Sequence, residues 1–247
     1  MDADILRKLG LALVLSIPAA ALAGDLRLLT EYSPPDIMRD GERIYGISPD
    51  LLRLAMAKTG LPYSMEIMAW RRAYVLALQK PDTCVFSTGR TPDREDLFKW
   101  VGPLREVDWT FFGMADAPFK LTALEDARPL RIGTYHGDVR HSYLEARGFI
   151  VDSTQEDLAN PKKLLAGRID LWATGMQNAR REIARNGWTG KIVPLLTFNS
   201  SQLYLACNKG VPDATTSAIN AALAELQRDG SAAAIQRKYQ DVGGKSR

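Results

Sequence analysis

From Asp25 onward the chain alternates apolar runs of strand length with amphipathic stretches of helix length, and this alternation constrains the fold most. Residues 26–30 read as a strand, and Tyr32-Ser33-Pro34-Pro35 as a turn. Ser48-Pro49-Asp50 then carries helix-start chemistry: a capping serine, a proline in the first turn and an acid near the positive end. Leu51, Leu52, Leu54 and Ala55 give that helix its apolar face, and Gly60 ends it. Residues 63–68, 71–78 and 83–88 read as strand, helix and strand. The pattern restarts after Pro118, with strands at 130–135, 149–152, 169–174 and 192–196 and helices at 141–147, from Asn160-Pro161, and at 176–185. A separate strand at 203–207 and two helices, from 213 to Gly230 and over 231–239, close the chain before a frayed tail at 243–247. Alternating elements predict parallel sheets and an α/β fold, and two units of similar length predict two lobes.

The first residues predict export. Arg7-Lys8 precedes an apolar run at 9–17, and Ala21-Leu22-Ala23 has small residues at signal-cleavage spacing, so residues 1–23 read as a signal peptide. That run is shorter than the roughly 20 residues of a membrane span. A hydrophobic content of 46% with 25% charged residues is that of a globular chain. Net charge is +3, but the basic residues are scattered, which argues against nucleic-acid binding because that needs a clustered basic face. Cys84 and Cys207 lie in apolar runs and favour two buried free thiols, with a disulfide as the alternative an oxidising compartment permits. With His136 and His141 they make no zinc pattern, and no metal or cofactor is expected.

The run Ser87-Thr88-Gly89-Arg90-Thr91-Pro92-Asp93-Arg94-Glu95 follows the strand signal of Cys84-Val85-Phe86. With Pro92 starting a helix, it would offer an anion loop N–H groups, hydroxyls, a helix N-terminus and a guanidinium. Thr91, Arg94, Phe98 and Pro103 are spaced as in the ligand loop and hinge of the bacterial extracellular solute-binding proteins of family 3, which this chain resembles. Thr30-Glu31-Tyr32-Ser33-Pro34-Pro35, Gly46-Ile47-Ser48-Pro49-Asp50-Leu51-Leu52 and the final helices fit the same order. These are periplasmic, amino-acid-type substrate-binding proteins of ABC transporters. The resemblance implies a two-lobed periplasmic-binding-protein-like fold of type II, each lobe a mainly parallel sheet flanked by helices, with two hinge crossings. Lobe one would comprise residues 24–104 and 200–247, and lobe two residues 105–199.

The resemblance also implies a ligand between the lobes. Arg94 would grip a carboxylate and Tyr32 would stack on the ligand, with Trp70 forming either the opposite face or part of the core. Arg72 would add a cationic contact or point to solvent, and Ser87, Thr88 and Gly89 would complete the wall. Lobe two departs from the pattern. Gly137 is followed by Asp138-Val139-Arg140 instead of small hydroxyl residues. The fifth position beyond the acid of Gly167-Arg168-Ile169-Asp170 is Gly175, where amino-acid-binding members carry the aspartate that holds an α-ammonium. Either Asp138 takes that role from another direction or the ligand has no α-ammonium. Asp170 itself reads as structural.

The expected function is capture of a small carboxylate-bearing solute, an organic acid or amino-acid-like compound, by hinge closure. The protein would be a periplasmic monomer that delivers its solute to an inner-membrane transporter or sensor. The alternative is an enzyme on the same fold, such as a cyclohexadienyl-type dehydratase, with Glu31, Asp138 or His136 as general acid.

Overall fold

The computed structural model describes residues 25–240, so the expected signal peptide and the tail at 243–247 lie outside the described residues. The elements in order are β1 Leu26–Thr30, β2 Met38–Asp40, β3 Arg43–Tyr45, α1 Ile47–Thr59, β4 Tyr63–Ile67, α2 Trp70–Gln79, β5 Thr83–Gly89 and β6 Lys99–Met114. They continue with β7 Arg131–Tyr135, α3 Val139–Glu145, β8 Ile150–Thr154, α4 Asn160–Leu165, β9 Leu171–Gly175 and α5 Met176–Arg185. The last are β10 Ile192–Cys207, α6 Asp213–Arg228 and α7 Ser231–Gln240.

Eight strands form one mixed sheet in the order β4-β1-β5-β10-β6-β9-β7-β8, and β2 and β3 pair as a separate hairpin. β1 runs parallel to β4 and β5, and β7 runs parallel to β8 and β9. These two parallel groups are the sheets of a two-lobed fold, with helices packed on their faces. β6 and β10 join them, paired antiparallel along their length. One end of β10 pairs with β5, from Leu203↔Gly89 to Cys207↔Cys84. β6 pairs with β9 further along, from Trp109↔Gly175 to Phe112↔Trp172.

Strand periodicity assigns the cores. Side chains alternate across a strand, so Leu28, Cys84, Phe86, Leu205 and Cys207 face α1 and α6 with Leu52 and Leu223. Leu29, Val85 and Ala206 face the other side with Trp70, Ala73 and Phe98. In the second lobe, Phe111, Ile132, Leu171 and Ala173 form one cluster, and Phe112, Trp172 and Ile183 the other.

Four expectations are corrected. Residues 192–207 form one 16-residue strand, not two strands, and 99–114 form its equally long partner. Between the lobes both strands carry exposed polar residues, among them Glu106, Asp108 and Gln202, because neither face meets a core there, and this interrupts the apolar pattern. Ser48 does not cap α1, which begins at Ile47 after Gly46. The Ser48 hydroxyl instead donates to Asp36 at 2.7 Å. Gly46 has φ 136°, and a Cβ there would lie 2.0 Å from the Asp36 carbonyl oxygen, so only glycine fits. Pro92 starts no α-helix: a turn leads to the three-residue 3-10 helix Glu95–Leu97, which removes the expected helix N-terminus from the anion donors. Cys84 and Cys207 are joined as a disulfide between directly paired positions of β5 and β10.

Candidate functional site

Parallel strands leave loops at their carboxyl ends, and ligands of α/β sheets bind there. Here the carboxyl ends of both parallel groups line one cleft. From the first lobe come Thr30 ending β1 and Glu31 after it, Trp70 at the start of α2, Ser87 and Gly89 of β5, and Arg94. From the second come Tyr135 ending β7, Asp138, Val139 and Arg140 opening α3, and Asn178 of α5. Arg105, Val107, Ser201 and Leu203 of the β6/β10 ribbon close the floor. The inner cavity measures about 60 Å³. An outer cavity of about 220 Å³ shares Glu31, Ser33, Trp70, Tyr135, Arg140 and Asn178 with it and adds Tyr32, Met68 and Asp157.

Arg94 is 5% exposed. It donates to the Gly137 carbonyl at 2.8 Å and more weakly to the Gly89 carbonyl at 3.4 Å, and its guanidinium lies 5.2 Å from the centre of the Tyr74 ring. Among the described residues no carboxylate pairs with it. The other two arginines of the inner cavity are paired. Arg105 lies 3.2 Å from Asp36, and Arg140 grips Asp138 through two bonds of 2.9 and 2.7 Å. Asp138 also caps α3 by accepting from the Arg140 backbone N–H at 2.7 Å. Burial of such pairs is tolerated because each charge faces its opposite, and Arg140 and Asp138 are hydrogen-bonded as well.

Several bonds tie the lobes across the cleft. The Trp70 indole donates to the Gly137 carbonyl at 2.9 Å, Asn178 donates to the Ser33 hydroxyl at 2.6 Å, and the Tyr135 hydroxyl donates to Glu31 at 2.6 Å. The Gly137 carbonyl thus receives two first-lobe donors, Trp70 and Arg94.

Glu31 is half-buried at the junction of the two cavities, and desolvation raises its carboxyl from 4.5 to about 8, opposed by the Tyr135 bond. Asp138, Asp157 and Arg140 face it, the two acids adding to the rise and the arginine reducing it. Desolvation and the Glu31 charge push the Tyr135 phenol up as well. The folded state therefore holds a proton between about 4.5 and 8 that an unfolded glutamate has released. The stability this group contributes is fully present below that window and falls as pH rises through it. Glu31→Gln is expected to flatten the fall. Urea titrations of both proteins near pH 5 and pH 8.5 check this, and an equal loss in both would remove Glu31 as its source.

Of the ten residues expected at the site, Trp70, Ser87, Gly89, Arg94 and Asp138 line the inner cavity. Tyr32 lines the outer one, half in solvent. Trp70 is at once a cavity wall and part of a core cluster. The Ser87 hydroxyl donates to Asp36 at 2.7 Å, from a backbone held at φ 58°. Such a conformation is uncommon outside glycine, asparagine and aspartate. Thr88 is buried with its hydroxyl on the Val85 carbonyl, and Arg72 is exposed on α2; neither lines a cavity. Gly137 contributes its carbonyl, and a Cβ on Gly175 would point at Val107 and Asn178. Asp170 pairs with Arg131 at 2.8 Å on the second lobe and lines neither cavity, in keeping with a structural role. Sequence reasoning did not single out Asp36, Arg105, Tyr135, Asp157 or Asn178, whose types are common and which converge only through the fold.

A family model for the bacterial extracellular solute-binding proteins, family 3, matches residues 26–242. The chain belongs to this family. No curated protein sequence matches it significantly. Among solved structures, a histidine kinase sensor domain with similarity to periplasmic binding proteins superposes with a TM-score of 0.80 at 21% identity, covering 87% of this chain and 95% of that one. An ancestral arginine-binding protein bound to arginine gives 0.76 at 22% identity, covering 87% of this chain and 98% of that one. The arginine-, lysine-, histidine-binding protein of Geobacillus stearothermophilus gives 0.77 at 18%, covering 90% of this chain and all of its own. At these identities the likeness establishes the fold of this family 3 member and not its ligand. No helix among the described residues is long and apolar enough to cross a membrane.

Proposed function

We propose that this family 3 protein is a periplasmic solute-binding protein that captures a small carboxylate-bearing molecule between its lobes by hinge closure. One observation carries the reading: a buried guanidinium, Arg94, sits on the cleft wall with carbonyls and a ring around it but no carboxylate among the described residues. A ligand carboxylate supplies the missing charge, and the planar fork suits it. Lobe one comprises residues 24–104 and 200–247, and lobe two residues 105–199. This division is supported by the pairing, since β10 joins β5 only from Leu203 onward and β6 joins β9 only from Trp109. Ligand contacts to both lobes favour the closed form, which a membrane partner then recognises. A sensor domain and amino-acid-binding proteins among the structural neighbours support a receptor or a transporter alike as that partner.

Mass spectrometry of small molecules released from natively purified protein tests the reading, with an acid as the expected finding. Ligand should also compact the molecule. Small-angle scattering with and without the recovered acid is expected to show a smaller radius of gyration at saturation, and an unchanged radius would count heavily against closure.

A second reading is favoured by Glu31, a carboxyl protonated near neutral pH and facing the cleft beside the Tyr135 phenol. Such a group can act as a general acid, as a dehydratase would require. The two readings separate on whether the incubated ligand returns chemically unchanged; binding alone predicts that it does.

A further inference from the structure

Two of the three acids of the inner cavity, Asp36 and Asp138, are already committed. Asp36 accepts from the Ser48 backbone N–H at 3.1 Å, from the Ser48 hydroxyl at 2.7 Å and from the Ser87 hydroxyl at 2.7 Å, and it pairs with Arg105 at 3.2 Å. Three donors thus take most of its roughly four lone-pair sites, and Arg105 matches its charge. Asp138 takes three donors from Arg140 alone. Asp157 belongs to the outer cavity, where it accepts the Trp172 indole and the Thr174 hydroxyl, both at 2.7 Å. Glu156 lies exposed at that outer wall.

Arg94 lines the inner cavity only. A carboxylate held there places its 2-substituent, two bonds from the carboxyl carbon, in the inner cavity as well. The groups left to meet that substituent are the Glu31–Tyr135 pair, the Ser33 and Ser201 hydroxyls and the Asn178 amide. They offer hydrogen bonds to an uncharged oxygen. The one carboxyl among them, Glu31, already accepts the Tyr135 hydroxyl at 2.6 Å and is kept protonated by desolvation. An ammonium would first have to displace its proton to gain a counter-charge, and burial without one is strongly unfavourable. Position 175, whose side chain would point at Val107 and Asn178 of this cavity, is glycine.

Resting on the carboxylate reading above, we propose that the cleft selects acids bearing an uncharged oxygen at the 2-position, 2-hydroxy or 2-oxo acids, over 2-amino acids of the same skeleton. The selection is made by pairing Asp36 and Asp138 internally with Arg105 and Arg140, which removes both carboxylates from the reach of an amine.

The test is calorimetric titration of the mature protein with three matched sets: pyruvate, lactate and alanine; 2-oxoisocaproate, 2-hydroxyisocaproate and leucine; phenylpyruvate, phenyllactate and phenylalanine. In whichever skeleton fits, the oxo or hydroxy acid should bind at least tenfold more tightly than the amino acid. Gly175→Asp should narrow or reverse that ratio. Its φ of −76° suits any residue, and the added Cβ meets Val107 at 3.1 Å, a contact a methyl can relieve by a small shift. An amino acid binding as tightly as its oxygen analogue, or binding with release of a proton from Glu31, overturns this inference and leaves the carboxylate reading standing. Failure of all nine acids at millimolar concentration overturns both.

Discussion

Arg94→Ala is expected to weaken acid binding by about 2–5 kcal/mol, roughly thirtyfold or more in Kd, because a ligand carboxylate would be left uncompensated in the closed cleft. Arg94→Lys should recover only part, since an ammonium cannot reproduce the two-point fork. An arginine facing water in the cleft would have no packing partners to lose. The structure instead shows one that is buried, bonded across the cleft to Gly137 and set against Tyr74. Some loss of stability without ligand is therefore expected too. It should be small, on the order of 1 kcal/mol, because the Gly137 carbonyl keeps its Trp70 donor. Titration calorimetry and apo melting of both mutants measure the two effects. Near wild-type affinity in the alanine mutant would remove Arg94 from the site.

Cys84→Ala with Cys207→Ala is expected to destabilise the protein by about 2–5 kcal/mol, because the disulfide closes a loop of 123 residues. For a chain of this size the melting temperature should fall by roughly 4–20 °C. Affinity should change little, since neither cysteine lines either cavity and both lie on the face of the sheet opposite Trp70. Scanning calorimetry of the double mutant, and of the wild type with and without reductant, measures it. A wild type indifferent to reductant that melts with the double mutant would argue that the bond is absent in solution.

The fold was legible because strands such as β1 and β5 are near-continuous apolar runs, and because Gly60 and Asn160-Pro161 mark helix ends by chemistry local to the chain. The wall residues Trp70 and Arg94 were legible for the same reason, each carried by a short run of neighbours. What escaped depends on long-range pairing. Asp36 becomes an ion-pair partner only when the hairpin region meets Arg105 in the ribbon. Glu31 and Tyr135, 104 residues apart, acquire their properties by burial against each other. The cysteines looked like buried hydrophobes, which they are; that β10 returns beside β5 in register is a fact of topology and not of either apolar run.

The β6/β10 connection has a mechanical consequence. Two independent tethers would let the lobes swivel, slide and part. Here both tethers are hydrogen-bonded to each other across Arg105↔Leu203, Glu106↔Gln202, Val107↔Ser201 and Asp108↔Ser200. A ribbon of this kind is a leaf spring: stiff to stretching and to shear, since ladder bonds would have to slip, and compliant to bending out of its plane. Irregular register between Thr197 and Asn199 and between Leu203 and Leu205 brackets the compliant span. The proposed closure would then follow an arc about one axis. In the proposed closure such a spring would bring the Gly137 carbonyl opposite Trp70 and Arg94, so alignment of the jaws would be supplied by the scaffold before a ligand contributes anything.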